Sequence, residues 1–202
     1  MIDNEFTKVI GFDLGHGEFS LSEVPMILKE PPQIIEINGK KSQITAVGKN
    51  KKGKIIIGAN AMQQADVQSL GISFKKKPST CNDSQKQNIH DFVAEVYKKL
   101  IENKNIEEVT KSYFFVGCPS GWQTAEKNAY QQMMTEAGLK NVSIVQESRA
   151  ALMHAKEAGT IKPSELAKSV LVIDIGSSTT DFTWVIDKND NPIDSGLNLG
   201  VD

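Results

Sequence analysis

Apolar and polar residues alternate over short stretches near the start of the chain and recur at helical spacing in its middle. Lys8 to Phe12 is a β-branched run bounded by charge and then glycine, which predicts a strand. Phe19 to Val24 alternates and predicts a second strand, hairpinned to the first through "LGHGE". "PPQIIEINGKKSQITAVG" predicts a strand, a turn at Asn38-Gly39 and another strand; "KGKIIIG" adds one more, and a helix is expected from about Ala59 to Leu70. Then the period changes. Ile89, Phe92, Val93, Val96, Leu100 and Ile101 fall on one helical face, with Asp83 or Ser84 as the expected cap. "SYFFVGCPSG" predicts a buried strand, and "QTAEKNAYQQMMTEAGL" a helix stopped by Gly138 in the left-handed conformation. "NVSIVQE" predicts a strand and "SRAALMHAKEAG" a helix ended by Gly159, while "SVLVIDIGSSTTDFTWVID" predicts two strands around a glycine turn. Strands alternating with helices in the second half predict βαβ units and parallel strands.

Composition narrows the function classes. The 202 residues are 39% hydrophobic and 24% charged, an ordinary globular balance. A net charge of −2 argues against a sequence-independent grip on nucleic acid, which needs a clustered positive field. No apolar run approaches the roughly 18 residues of a membrane span, and the N-terminus lacks a signal-peptide pattern. A cytoplasmic protein with no nucleic-acid or membrane partner is therefore expected. Cys81 and Cys118 lack metal-site spacing and are expected to be thiols, Cys118 buried. Trp122 is expected to cover the core, and Pro119 to end a strand. His90 and His154 have no partners legible in sequence.

One device occurs twice. "VIGFDLGHGEFSLSEV" and "VLVIDIGSSTTDFTWV" each run apolar strand, aspartate, apolar residue, glycine, small or polar turn, second strand. A polyphosphate needs backbone N–H donors that approach closely, which favours glycine and small residues in the turn. Its Mg²⁺ keeps most of its waters and is held by a few carboxylates. Either hairpin alone is equally a tight turn with an aspartate as turn former; the doubling favours phosphate binding.

These residues resemble the nucleotide-binding domain of DnaK-type heat-shock chaperones, within the actin-like ATPase superfamily. "FDLGHGEFS" is similar to that family's first phosphate motif and "IDIGSSTTDF" to its second. "FFVGCPSGWQTAEKNAYQQMMTEAGLKNVSIVQESRAALMHA" resembles the ordered segment between them. The likeness is strong from about 110 to 187, good at 8 to 24 and faint in the insertion. It implies an α/β fold: a ribonuclease-H-like, actin-like lobe with a mixed sheet flanked by helices, made of residues 1–24 and 81–202. Residues 25–80 would be a smaller strand-rich subdomain. The cofactors implied are ATP or ADP and Mg²⁺. Asp13, Asp174 and Asp181 would hold the metal through its waters. Gly15, His16, Gly17, Gly176, Ser177 and Ser178 would offer amides to the phosphates. Thr179 would lie near the γ-phosphate, and Glu147 would orient the attacking water beside Asp174. The family's γ-phosphate lysine matches Lys75 in "ISFKKKPS", ahead of Lys76 and Lys77; a solvated basic turn is the other reading of that run. Glu147 also reads as a carboxylate favoured at a helix N-terminus.

The sequence departs from the family pattern at His16 and Glu18, where hydroxyl residues are usual; Glu18 is expected to add negative charge beside the phosphates and retune hydrolysis. Ser148 replaces the proline after the water-orienting glutamate. "SGLNLGVD" resembles the start of the crossover into a second lobe that supplies the adenosine pocket, so the partners implied are that missing C-terminal lobe, client peptides, a J-domain co-chaperone and an exchange factor. These residues alone are expected to bind nucleotide weakly and to be weak or inactive as an ATPase. Alternatives are a filament-forming actin-like protein of the plasmid-segregation kind and a non-hydrolysing interaction module on the same fold. A sugar or acetate kinase is disfavoured, since this half offers no acid on a substrate side.

Overall fold

The computed structural model describes residues 6–26, 30–106, 111–166, 168–186 and 189–197. The first two strands, β1 (Lys8–Leu14) and β2 (Glu18–Pro25), form the expected antiparallel hairpin. β3 (Gln33–Ile35) and β4 (Ser42–Ile44) both pair with β2, one beside each half of it. Asn38 and Gly39 make the turn between them with φ of 54° and 73°, the left-handed region that Asn and Gly tolerate. On the other side β1 runs parallel to β8 (Ser112–Cys118), and β8 parallel to β9 (Val142–Gln146). The main sheet is therefore mixed, in the order β3-β2-β1-β8-β9.

Two smaller sheets complete the chain. β5 (Ala46–Asn50), β6 (Ile55–Ile57) and β7 (Val67–Ile72) form one, ordered β6-β5-β7. β10 (Val170–Ile175), β11 (Thr180–Ile186) and β12 (Asn189–Leu197) form the other, an antiparallel sheet of its own. Of the stretch expected to begin a crossover, Ser195 to Leu197 belongs to β12; the remainder lies outside the described residues. The helix expected over 59–70 is a correction: α1 ends at Gln63 (Ala59–Gln63), and Val67 to Ile72 is strand. An isolated helix that short is marginal, whereas the edge of β5 offers a full ladder, and Gly71 lets the strand lie against the Asn88 side chain.

Helices α2 (Asp83–Glu102) and α3 (Thr124–Glu136) cover the main sheet. α2 is capped by Asn82, one residue before the expected cap: Asn82 Oδ1 accepts from the Gln85 N–H at 2.9 Å and Gln85 Oε1 from the Asn82 N–H at 3.1 Å. Ile89, Phe92, Val93, Val96 and Leu100 are buried, but Ile101 is 40% exposed, at the edge of the apolar stripe. Phe92 meets Phe19 of β2 edge-on at 4.9 Å and Phe74 at 5.5 Å, so both smaller-sheet and main-sheet residues share one core. Gly138 and Gly159 have φ of 111° and 71°, the left-handed stops expected after α3 and after α4 (Glu147–Glu157). A last short helix, α5 (Pro163–Leu166), leads to β10. Trp122 is buried edge-on to Tyr130 at 5.1 Å. No helix among the described residues is long and apolar enough to cross a membrane.

Candidate nucleotide-phosphate site

The two hairpins are built to one plan. Asp13 pairs with Ser20 and Leu14 with Phe19; Asp174 pairs with Asp181 and Ile175 with Thr180. In each, the glycine after the strand donates its N–H across the turn: Gly15 to the Glu18 carbonyl at 2.9 Å, and Gly176 to the Thr179 carbonyl at 2.9 Å. A Cβ on Gly15 would collide with the Glu18 carbonyl. The hairpins meet: a Cβ on Gly17 would lie 2.6 Å from Ser177 Oγ. Loops from two separate sheets thus face each other across a narrow gap.

Thr45, which nothing in the sequence singled out, braces the first loop. Its N–H donates to the Gly17 carbonyl at 2.7 Å and its hydroxyl to the Gly15 carbonyl at 2.9 Å. Those carbonyls are thereby occupied, and since the Gly15 N–H donates to Glu18, the amides the loop can offer a ligand are those of His16 and Gly17. Another brace ties the sheets together: the buried Thr183 hydroxyl of β11 bonds Ser120, which follows β8, and Gln146 Nε2 donates to the Ser120 carbonyl. α4 packs on β8, β9 and β10 and so spans both sheets.

Around the gap stand the charged groups. Lys75 is 8% exposed; its ammonium donates to Glu147 Oε1 at 2.7 Å and lies 3.5 Å from the Gly117 carbonyl. Gly117 is what admits Glu147, since a Cβ there would come within 3.1 Å of the carboxylate. Burial pulls the Lys75 ammonium down, but the Glu147 carboxylate, then the Tyr130 phenol and Asp13, outweigh it and hold its pKa well above the usual lysine range. Asp13 sits at the mouth, partly open to solvent, yet the protein crowding around it and then the Glu147 carboxylate push its pKa up. Asp174 is raised by burial, then by Glu147 and Asp181. Thr179 donates to Asp181 Oδ2 at 3.3 Å. Several carboxylates repel one another around one buried cation, which suits a site for a further cation.

The expected residues are placed as follows. Asp13, Lys75, Glu147 and Asp174 are brought close enough to couple electrically, and Asp181 joins through Asp174 and Thr179. Gly15, His16 and Gly17 form one loop, and Gly176, Ser177 and Ser178 the facing one. No three His, Cys, Asp or Glu side chains among the described residues converge closely enough to ligate a metal directly. An ion held through its own waters fits this spacing. Of the lysine run, Lys75 is buried, Lys76 is exposed, and Lys77, its side chain 40% exposed, pairs with Glu126 at 3.3 Å, so the solvated-turn reading fails for Lys75 alone. The Glu18 carboxylate, exposed on the first turn, accepts from the Ser42 hydroxyl of β4 at 2.8 Å. His16 Nδ1 bonds the Lys75 carbonyl at 3.2 Å; a carbonyl only accepts, so Nδ1 carries the proton. Cys118 is buried, its thiol pushed up to about 11 by burial and then by Glu147.

A paired-hairpin site on this fold has known relatives. Residues 7–190 match the family model described as MreB/Mbl protein. The chain belongs to the MreB/Mbl family. Its fold is that of actin-like ATPases: it superposes on MreB5 of Spiroplasma citri bound to ADP with a TM-score of 0.66 at 20% identity, covering 97% of this chain and 53% of that one. It also superposes on a non-polymerising mutant of MamK bound to AMPPNP with a TM-score of 0.62 at 16% identity, covering 94% and 53%. Among curated proteins it is 30% identical over 194 residues to the chaperone protein DnaK of Mycoplasmopsis synoviae. It is 28% identical over 184 residues to DnaK of Mycoplasmopsis agalactiae. These matches cover 90% and 87% of this chain but 30% and 29% of the relatives. This MreB/Mbl member thus spans about a third of the curated relatives' length and about half that of the solved structures.

Proposed function

We propose that the chain carries the phosphate-binding half of an ATP-hydrolysing site, with the polyphosphate seated between the Gly15–Glu18 and Gly176–Thr179 turns. The observation that carries this reading is the contact of two identically registered Asp-x-Gly hairpins at Gly17 and Ser177, with Asp13, Asp174, Lys75 and Glu147 around it. Amides of His16, Gly17, Ser177 and Ser178 would take the phosphate oxygens, while those of Gly15 and Gly176, expected there too, donate across their own turns and hold the loops in shape. Asp13, Asp174 and Asp181 would hold Mg²⁺ through its waters; the metal, when bound, neutralises phosphate charge. Lys75 would turn from Glu147 toward the γ-phosphate, Thr179 would hydrogen-bond it, and Glu147 would hold the attacking water in line. The solved neighbours bound to ADP and AMPPNP support nucleotide as the ligand.

Calorimetry and turnover measured on the full-length protein, with its second lobe, test this. Wild type is expected to bind ATP with Mg²⁺, Asp174→Asn to lose metal-dependent affinity, and Glu147→Gln to keep binding while hydrolysis falls at least about a hundredfold. If both variants turn over at the wild-type rate, the assignment fails.

What the nucleotide cycle drives has two readings. A chaperone ATPase coupled to client peptides, a J-domain co-chaperone and an exchange factor is supported by three curated relatives, each a chaperone protein DnaK. A nucleotide-dependent filament is supported by MreB/Mbl membership and by the MamK neighbour, described by its loss of polymerisation. Sedimentation with Mg²⁺ and ATP separates them: a pelleted polymer favours the filament, while a soluble ATPase stimulated by unfolded peptide favours the chaperone.

A further inference from the structure

The first phosphate turn and the lysine segment lie far apart in sequence and are tied by one side chain. Residues 73–77 belong to no helix or strand. Ser73 turns the chain out of β7 with a φ of 51°, and Phe74, 1% exposed, pins it to the core. No ladder of backbone hydrogen bonds then fixes Lys75. Its carbonyl takes a single hydrogen bond among the described residues, from His16 Nδ1 at 3.2 Å. The carbonyl of a buried residue needs such a partner. Here the partner comes from the turn that faces the second hairpin.

His16 is a firm mount for that bond. The carbonyls on either side of it, those of Gly15 and Gly17, are both held by Thr45, which is 1% exposed. The turn therefore carries its imidazole with it. Lys75 is the opposite case, an ammonium on a flexible four-carbon stem whose reach depends on where its backbone stands. Its Nζ donates to Glu147 Oε1 at 2.7 Å and lies 3.5 Å from the Gly117 carbonyl. A backbone shift of about an ångström takes such contacts out of hydrogen-bond range, and misplacement on that scale is costly to a reaction. His16 thus serves the site twice, with an open main-chain amide and with a ring that holds the lysine segment.

We propose that His16 is a positioning residue: its Nδ1–H fixes where Lys75 holds its ammonium, and passes any shift of the first phosphate turn on to that lysine. The benefit to a γ-phosphate rests on the ATPase reading; the placement of Lys75 does not.

The side-chain N–H of asparagine stands as many bonds from the backbone as Nδ1–H, and that of glutamine as many as Nε2. The test compares His16→Ala, His16→Asn and His16→Gln in the full-length protein, all of which keep the main-chain amide. Without nucleotide, the ammonium nitrogen resonance of Lys75, assigned by its loss in Lys75→Met, is expected to move in the Ala and Gln variants. It should return toward its wild-type position in the Asn variant. With Mg²⁺ and ATP, Ala and Gln are expected to lower kcat roughly tenfold while KM changes less than about twofold. Asn should recover most of that loss, and His16→Ala should add none to Lys75→Met. A Lys75 resonance that no substitution moves overturns the proposal. So does rescue by Gln and not by Asn, which would mean that the ring works through its outer nitrogen. A resonance that follows the series in a protein without ATPase activity would keep the positioning role and sink the ATPase reading alone.

Discussion

At the scale of single residues, Lys75 shows how burial sorts three chemically identical side chains. The sequence run "KKK" offers no distinction beyond the preceding Phe74, which is buried and anchors the segment so that Lys75 points inward. Lys75 was legible through the aromatic beside it; Thr45 was not, because a threonine in "QITAV" carries no local sign of its partners, the Gly15 and Gly17 carbonyls. His16, which looked like mere drift, ties the first loop to the Lys75 backbone. The raised aspartates make a prediction with a definite sign. Asp13 and Asp174 bind protons more tightly folded than unfolded, where the ordinary value is 3.8. The nucleotide-free fold therefore holds extra protons from that value up to the raised ones, and its stability falls as pH rises through that window. Urea midpoints measured across it should decline with pH, and the decline should flatten in an Asp13→Asn, Asp174→Asn double variant. A rising midpoint that the double variant leaves unchanged would contradict the electrostatics described for the cleft.

At the scale of elements, periodicity located most of the helices and strands because their apolar faces are local facts. α2 is the clearest, and its one-residue shift of cap follows from the reciprocal bonds between Asn82 and Gln85. Asn82→Ala should cost about 1 kcal/mol, seen as a lower urea midpoint, while Asp83→Ala and Ser84→Ala should change it little. The failure at 59–70 has the opposite origin: strand β7 exists only because β5 presents an edge, and pairing partners distant in sequence leave no periodic trace. The same blindness hid which sheet each strand joins. β3 and β4, expected within the insertion, extend the main sheet, and β10 to β12 stand apart from it. β10 turns Leu171, Ile173 and Ile175 outward, all at least half exposed, so its strand signal came from an apolar run and not from burial on both faces.

At the scale of the whole molecule, the main sheet and the β10–β12 sheet are joined, among the described residues, through α4, the Ser120–Thr183 hydroxyl pair and the meeting of the phosphate turns. Relative motion of the sheets is therefore expected to gate nucleotide entry. Gly17→Val should act as a wedge against Ser177, leaving the fold intact while nucleotide dissociates at least about tenfold faster in stopped-flow measurements. An unchanged off-rate would show that the turns do not close on the ligand. The duplicated motif was legible as chemistry; that its copies lie on different bodies was not, since the sequence repeats the turn without recording the gap. That gap has a further consequence. Its closest point is set by a hydrogen atom and a small hydroxymethyl group, so the jaws stop at a width written into the chain and not chosen by what lies between them. If a polyphosphate seats there as proposed, such a stop would work as a gauge: a triphosphate would reach further between the turns than a diphosphate, and loss of one phosphate would be felt as slack in the joint.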